Sequence, residues 1–232
     1  MNRSQKLFAT LSLATLASTF ALTPASAHIS IRPGVDATGN TVSAITAGQS
    51  GVLNFRVGHG CTVEEANVVN PNNGKSFEGT KWGTHAFSVD VPLAAQGTGT
   101  TVPKPQYVPG FKTSLSKDMS SGTYTVTWTA ISRDFDIPDG PTVSDPTIAA
   151  NLYADFGIQI KWAADQSGKT VYFKSVQTCL VDIPAKKKTK KSKAKPATTH
   201  KIFNSWDVTD GTGADTVKDN TEHNTAPSVV VR

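Results

Sequence analysis

Two sets of residues in this chain have the types and spacing to do chemistry: a histidine at a cleavage-like point, and two distant cysteines. His28 follows Ala25-Ser26-Ala27. Arg3 and Lys6 give the chain a positive start, Leu7 to Leu22 is an apolar run with no charge, and Pro24 breaks it. This pattern reads as a secretory signal peptide over residues 1–27, with small residues where the peptidase needs them. Cleavage after Ala27 makes His28 an N-terminal residue. Its α-amine and ring Nδ1 then close a chelate on one metal ion. The amine titrates near neutrality, so metal displaces its proton at modest cost. Nitrogen ligands of this kind suit Cu(II) best among the common divalent ions. The competing reading is that cleavage falls before a histidine by coincidence.

Cys61 and Cys179 are the two cysteines of the chain. In an exported protein an isolated pair reads as a disulfide. Closing so long a loop is worth about 4–5 kcal/mol in the chain-entropy model. A metal site on the two thiols is the alternative, and it lacks a CxxC spacing. His59 stands between Gly58 and Gly60, a sharp backbone path that exposes the imidazole or brings it against another segment. It reads as a metal ligand or as a turn histidine bonded to backbone. His85, His200 and His223 read as surface residues. Trp82, Trp128 and Trp162 read as core or edge residues, with Trp128 buried.

The elements that position these residues read as strands. Ile29 and Ile31 alternate ahead of Pro33-Gly34, which makes a first strand. Gly51–Val57 places Leu53, Phe55 and Val57 on one face and runs straight into His59. Ala66–Val69 and Phe87–Val91 read as strands around an Asn-, Gly- and Pro-rich turn. Pro103–Lys112 is an extended, proline-stiffened segment. Thr123–Thr129 alternates strictly, with Tyr124, Val126 and Trp128 inward. Tyr153–Trp162 and Thr170–Cys179 alternate on either side of a Gly168-Lys169 turn and predict an antiparallel pair. Regular structure resumes near Lys201, Asp207–Glu222 is polar, and 226–231 closes the chain as a short strand. No segment has a sustained helical period. The expectation is all-β: an antiparallel β-sandwich forming a single domain over residues 28–232.

The chain has 232 residues and a formal net charge of +5. That charge is unevenly placed. Seven lysines fall between Lys186 and Lys195, inside a Lys-rich insert at residues 186–199. Without this run and the leader, acidic side chains outnumber basic ones. The run reads as a solvated loop, or as a contact for anionic cell-wall polymer or lipid. No aromatic residue is interleaved among these lysines, which argues against nucleic acid as a partner. No stretch after the leader is long and apolar enough to span a bilayer, so no transmembrane anchor is expected after processing. Haem and iron–sulfur sites lack their cysteine motifs, and no phosphate-binding glycine loop is present.

Several landmarks follow one another in order. They are Ala27-His28, Phe55-Arg56-Val57-Gly58-His59-Gly60-Cys61, Lys104-Pro105 with Pro109-Gly110-Phe111, and Tyr124 to Trp128. Tyr153-Ala154-Asp155-Phe156-Gly157, Tyr172-Phe173 with Gln177-Thr178-Cys179, Trp206 and Ala226-Pro227 follow. Over nearly all of the chain beyond the leader, this set resembles the YcnI-like family of bacterial exported copper-binding domains. The resemblance implies a cupredoxin- or immunoglobulin-like sandwich. It implies Cu(II) held by a monohistidine brace and completed by a carboxylate, with a tryptophan close by. It also implies copper trafficking or homeostasis in the periplasm or cell envelope, beside other exported copper chaperones or a membrane copper transporter. His28 matches the brace, and Trp206 matches the tryptophan that follows the second cysteine. For the remaining ligand the candidates are His59, Glu64, Glu65 and Asp155. The insert and the region after Trp206 depart from the family pattern.

The expected function is therefore a non-enzymatic Cu(II) carrier. A copper-dependent polysaccharide mono-oxygenase is one competitor, with His59 or His85 as its second copper-plane histidine. A structural or adhesive sandwich in which the disulfide matters and His28 does not is the other.

Overall fold

The computed structural model describes residues 29–32, 34–35, 41–42, 45–96, 101–132, 153–209, 216–218 and 221–232. Residues 1–27, read from the sequence as a signal peptide, and His28 lie outside the described residues, as does the Pro- and Gly-containing stretch 134–144. The strands are β1 (Ser30–Arg32), β2 (Gly34–Val35), β3 (Thr41–Val42), β4 (Ser50–Val57), β5 (Cys61–Thr62), β6 (Lys81–Trp82) and β7 (Thr84–Pro92). Then come β8 (Lys104–Pro105), β9 (Phe111–Asp118), β10 (Thr123–Ala130), β11 (Ala154–Lys161), β12 (Thr170–Tyr172) and β13 (Ser175–Ile183). The last are β14 (Thr198–Val208), β15 (Thr216–Lys218), β16 (Thr221–Thr225) and β17 (Ser228–Val230). Among the described residues helix is confined to two 3₁₀ turns, Leu93–Ala95 and Ala164–Gln166.

Two sheets make the sandwich. One has the order β1-β4-β11-β8, and the other β15-β16-β14-β13-β7-β10-β9. Among the described strands all pairings are antiparallel except β14 with β16. Period-two alternation decides the inner faces. Leu53, Phe55 and Val57 of β4 and Phe156, Ile158 and Ile160 of β11 are buried from one side. Phe87, Val89 and Val91 of β7 with Val126 and Trp128 of β10 are buried from the other. Phe156 bridges them, with its ring 5.1 Å from those of both Phe87 and Trp128. The chain is thus an all-β sandwich, as the alternation predicts.

A second, smaller core lies at one end. Cys61, Val63, Val68, Cys179, Val181 and Ile202 pack there, with Phe77, Trp82 and Ile183 against them. The Cys61–Cys179 disulfide sits inside it and joins residues 118 apart in sequence. Cys179 lies within β13 rather than at a strand end.

The strand pairing differs from the expected one in three places. Tyr153–Trp162 and Thr170–Cys179 do not pair with each other. β11 lies between β4 and β8, and β13 lies between β14 and β7. The second run is also broken in two: Val171 pairs with Val229 of β17, and the chain then crosses to the other sheet through Phe173, which is fully buried. Both runs carry an apolar face, and in the sandwich these faces meet from opposite layers. Ala66–Val69 is a turn with one rung, Val69 to Ser76, because Val68 alone points into the small core. Finally, β9 is a strand that alternation missed, since it lies at a sheet edge and is exposed over most of its length beyond Phe111 and Thr113, so it needs few apolar residues.

Candidate metal centre

β1, β4 and β11 lie side by side at one end of the four-stranded sheet. Ser30 is level with Arg56, and Arg56 with Asp155. The inward neighbours Ile29, Phe55, Val57 and Phe156 are buried, so Arg56 and Asp155 project from the outer face. Their side chains form a bidentate pair: the Arg56 Nε–H and Nη2–H groups donate to the two carboxylate oxygens, each at 2.7 Å. The Arg56 guanidinium lies 3.6 Å over the Tyr153 ring centroid. Hydrogen bonding to Asp155 raises the already high pKa of Arg56 and outweighs the opposing desolvation. Asp155 is therefore an occupied carboxylate.

His59 follows β4 by two residues and is half-buried. Its Nδ1 sits 2.7 Å from the Gly60 carbonyl oxygen. A carbonyl only accepts, so Nδ1 carries a proton, and in the neutral ring the lone pair is then on Nε2. Among the described residues nothing bonds that Nε2. The backbone under the ring is also fixed. The buried Gln177 side chain donates through Nε2 to the His59 carbonyl at 2.6 Å and also to the Thr84 hydroxyl. Of the two readings of His59, the geometry gives the turn histidine bonded to backbone, with the outer ring nitrogen unbonded among the described residues.

The remaining carboxylates lie in the neighbourhood of the small core. Glu64 is exposed. Glu65 Oε2 lies 3.0 Å from His200 Nε2, close enough for an ion pair when the ring is protonated. The contact lacks hydrogen-bond alignment, since the same nitrogen counts as buried and unbonded. His223 is paired too, its Nδ1 at 2.8 and 2.9 Å from the Asp207 carboxylate oxygens. His85, His200 and His223 are all half-buried, so none is the simple surface residue expected.

Trp206 is buried in the main core on β14, level with Ser175, and its indole nitrogen has no hydrogen-bond partner among the described residues. Trp128 and Trp162 are buried as expected, and Trp82 is half-buried against Phe77. The structure thus brings together Arg56, Tyr153 and Asp155, and separately Glu65 and His200. Among the described residues no three His, Cys, Asp or Glu side chains come close enough to hold a metal ion. Sequence reading missed Arg56, Tyr153, Thr84 and Gln177. Arg56 had one usable signal: its outward position on the alternating β4 strand.

No family model matches the chain, and no curated protein matches it. A solved structure similar to it is the crystal structure of an uncharacterized protein from Nocardia farcinica, described as having an immunoglobulin-like fold. The identity is 15%, over 88% of this chain and 97% of that one, with a TM-score of 0.42. No helix among the described residues is long and apolar enough to cross a membrane.

Proposed function

We propose that this chain is an exported, non-enzymatic Cu(II)-binding protein of copper trafficking, with copper as its cargo. The observation that carries the reading is the histidine placed directly after a leader-like segment and directly before an ordered strand. Ile29, its neighbour, is buried, and Ser30 is fixed in register on β4. A brace at that point would be held by the sheet rather than by a free tail. β1 runs antiparallel to β4 with Ser30 level with Arg56, so a continuation of that register ahead of Ile29 would run beside Gly58 and His59. This favours His59 Nε2 over the carboxylates as the third equatorial nitrogen of a tetragonal Cu(II) site. Asp155 stands two strands from β1, about 10 Å at ordinary strand spacing, and is already paired with Arg56. The carrier would exchange copper with an exported chaperone or a membrane copper transporter. The buried disulfide fits an oxidising compartment such as the periplasm or cell envelope.

The test is a Cu(II) titration with electron paramagnetic resonance on protein beginning at His28, beside a control with one extra residue ahead of it. One tight type-2 copper, lost in the control, is the expected result. His59→Ala should weaken it by about tenfold or more, and Asp155→Asn should leave it unchanged. Equal, weak binding in both proteins would show that His28 is incidental. The lone pair on His59 also meets the need of a copper mono-oxygenase for a second imidazole. Peroxide-driven release of oxidised sugars from chitin or cellulose would move the reading to that enzyme.

A further inference from the structure

The lysine-rich insert is an ordered hairpin. Lys186 and Lys195 exchange backbone hydrogen bonds at 2.9 and 3.2 Å, and Thr189 and Ser192 do so at 3.0 and 3.4 Å. The hydroxyls of the second rung are 2.8 Å apart, and Lys190-Lys191 makes the turn. Pro184 and Pro196 bracket the hairpin and stiffen its entry and exit. Asn72, from a different loop, holds it to the body. Its amide donates to the Ala185 carbonyl at 2.7 Å, and its Oδ1 accepts from the Lys187 N–H at 3.0 Å. The hairpin continues the β13–β14 ribbon, which pairs without a break from Ser175–Trp206 to Ile183–Thr198.

Six of the seven lysines are exposed, and Lys186 is half-buried. The run contains no acidic residue, and among the described residues none of the seven is in an ion pair. Like charges facing each other across a hairpin are destabilising. A plain loop would let them spread, whereas here backbone bonds and the Asn72 clasp hold them together. The lysines project from a narrow two-stranded ribbon, and no aromatic residue lies among them to stack on a base. No large apolar side chain stands at the turn to insert into hydrocarbon. What the hairpin presents is a compact field of positive charge at the end of a stiff arm, which suits a flat, negatively charged surface.

We propose that the 186–195 hairpin is an electrostatic dock for an anionic phospholipid bilayer, holding the protein at the membrane surface without insertion. The test is cosedimentation of the protein with phosphatidylcholine vesicles, with and without phosphatidylglycerol. The variant replaces Lys187, Lys188, Lys190, Lys191 and Lys193 by Gln, leaving the Lys186–Lys195 rung and the Asn72 clasp intact. A second variant replaces the same five by Arg. The expected result is binding that needs phosphatidylglycerol, falls about tenfold or more at high salt, falls as much in the Gln variant and survives in the Arg variant. Equal binding to pure phosphatidylcholine, or an unchanged Gln variant, would overturn the proposal. So would lysine-dependent capture by soluble polyphosphate with none by vesicles, which would assign the hairpin to a polymer. None of these readouts depends on copper.

Discussion

Asp155 shows how a partner distant in sequence changes what a residue can do. Its place before Phe156-Gly157 marks it as a candidate ligand, but Arg56, 99 residues away, accounts for both its oxygens. The side chains keep 26% and 33% of their exposure, so solvent screens the pair and its worth is about 1 kcal/mol or less. The pair is therefore better understood as fixing orientation than as holding the sheet. Asp118 is a second carboxylate set by neighbours. The Ser120 hydroxyl, then that of Ser121, hold its pKa down to about 2. A depressed carboxylate contributes stability above its unfolded value near 4, and that contribution is lost as pH falls through about 2. Ser120→Ala should move the Asp118 titration up toward the ordinary range in carboxyl-detected NMR. An unmoved titration would mean that the Ser121 hydroxyl and the backbone N–H groups suffice to hold it.

Strands with an inner face on the core were legible because alternation directly records burial. β4, β7, β10 and β11 all fell where their apolar residues recur every second position. Which strands pair was not legible, because pairing depends on which sheet each face must meet. The lysine hairpin was hidden for a different reason: its order comes from backbone rungs and the Asn72 clasp, and no apolar pattern announces either. Gly157 belongs to this scale as well. Its N–H donates to Gln106 Oε1 at 3.1 Å, and its carbonyl accepts from the Gln106 N–H at 2.7 Å. The Gln106 carbonyl accepts from the Trp128 indole at 3.0 Å, which ties the two sheets together. A Cβ on Gly157 would stand 2.5 Å from Gln106 Oε1, 3.0 Å from Asn54 Oδ1 and 3.1 Å from Gln106 Cβ. The first atom is the end of a flexible chain and can swing away, while the last cannot. Gly157→Ala should therefore cost about 1–3 kcal/mol in urea unfolding. Combined with Gln106→Ala it should cost less than the two changes added. Strict additivity would mean that the Gly157–Gln106 approach is not the source.

Across the whole molecule, the two cores differ in what they can sustain alone. The main core is built from both sheets and carries a network of aromatic rings, stacked at Phe87–Trp128, tilted at Phe87–Phe156 and edge-on at Phe55–Phe173 and Trp162–Phe173. The small one rests on a few aliphatic side chains around the disulfide, and its outer loops, from Glu64 to Thr80, contain little regular structure. A cross-link over 118 residues limits the unfolded chain by about 4–5 kcal/mol at most in the entropic account. The native effect should be local, because β5 and β6 have only two residues each and the disulfide joins β5 directly to β13. Cys61→Ser with Cys179→Ser should lower the melting temperature. In hydrogen exchange it should release the amides of Val63 and Val68 well before those of Phe87 and Val126. Uniform loss of protection would instead mean that both cores open as one cooperative unit. The same contrast bears on the hairpin, because Asn72, its clasp, stands in a loop that packs on the small core. If the small core opens first, lysine-dependent vesicle binding should weaken together with Val63 protection, while the β4 end near His59 keeps its place on the main core.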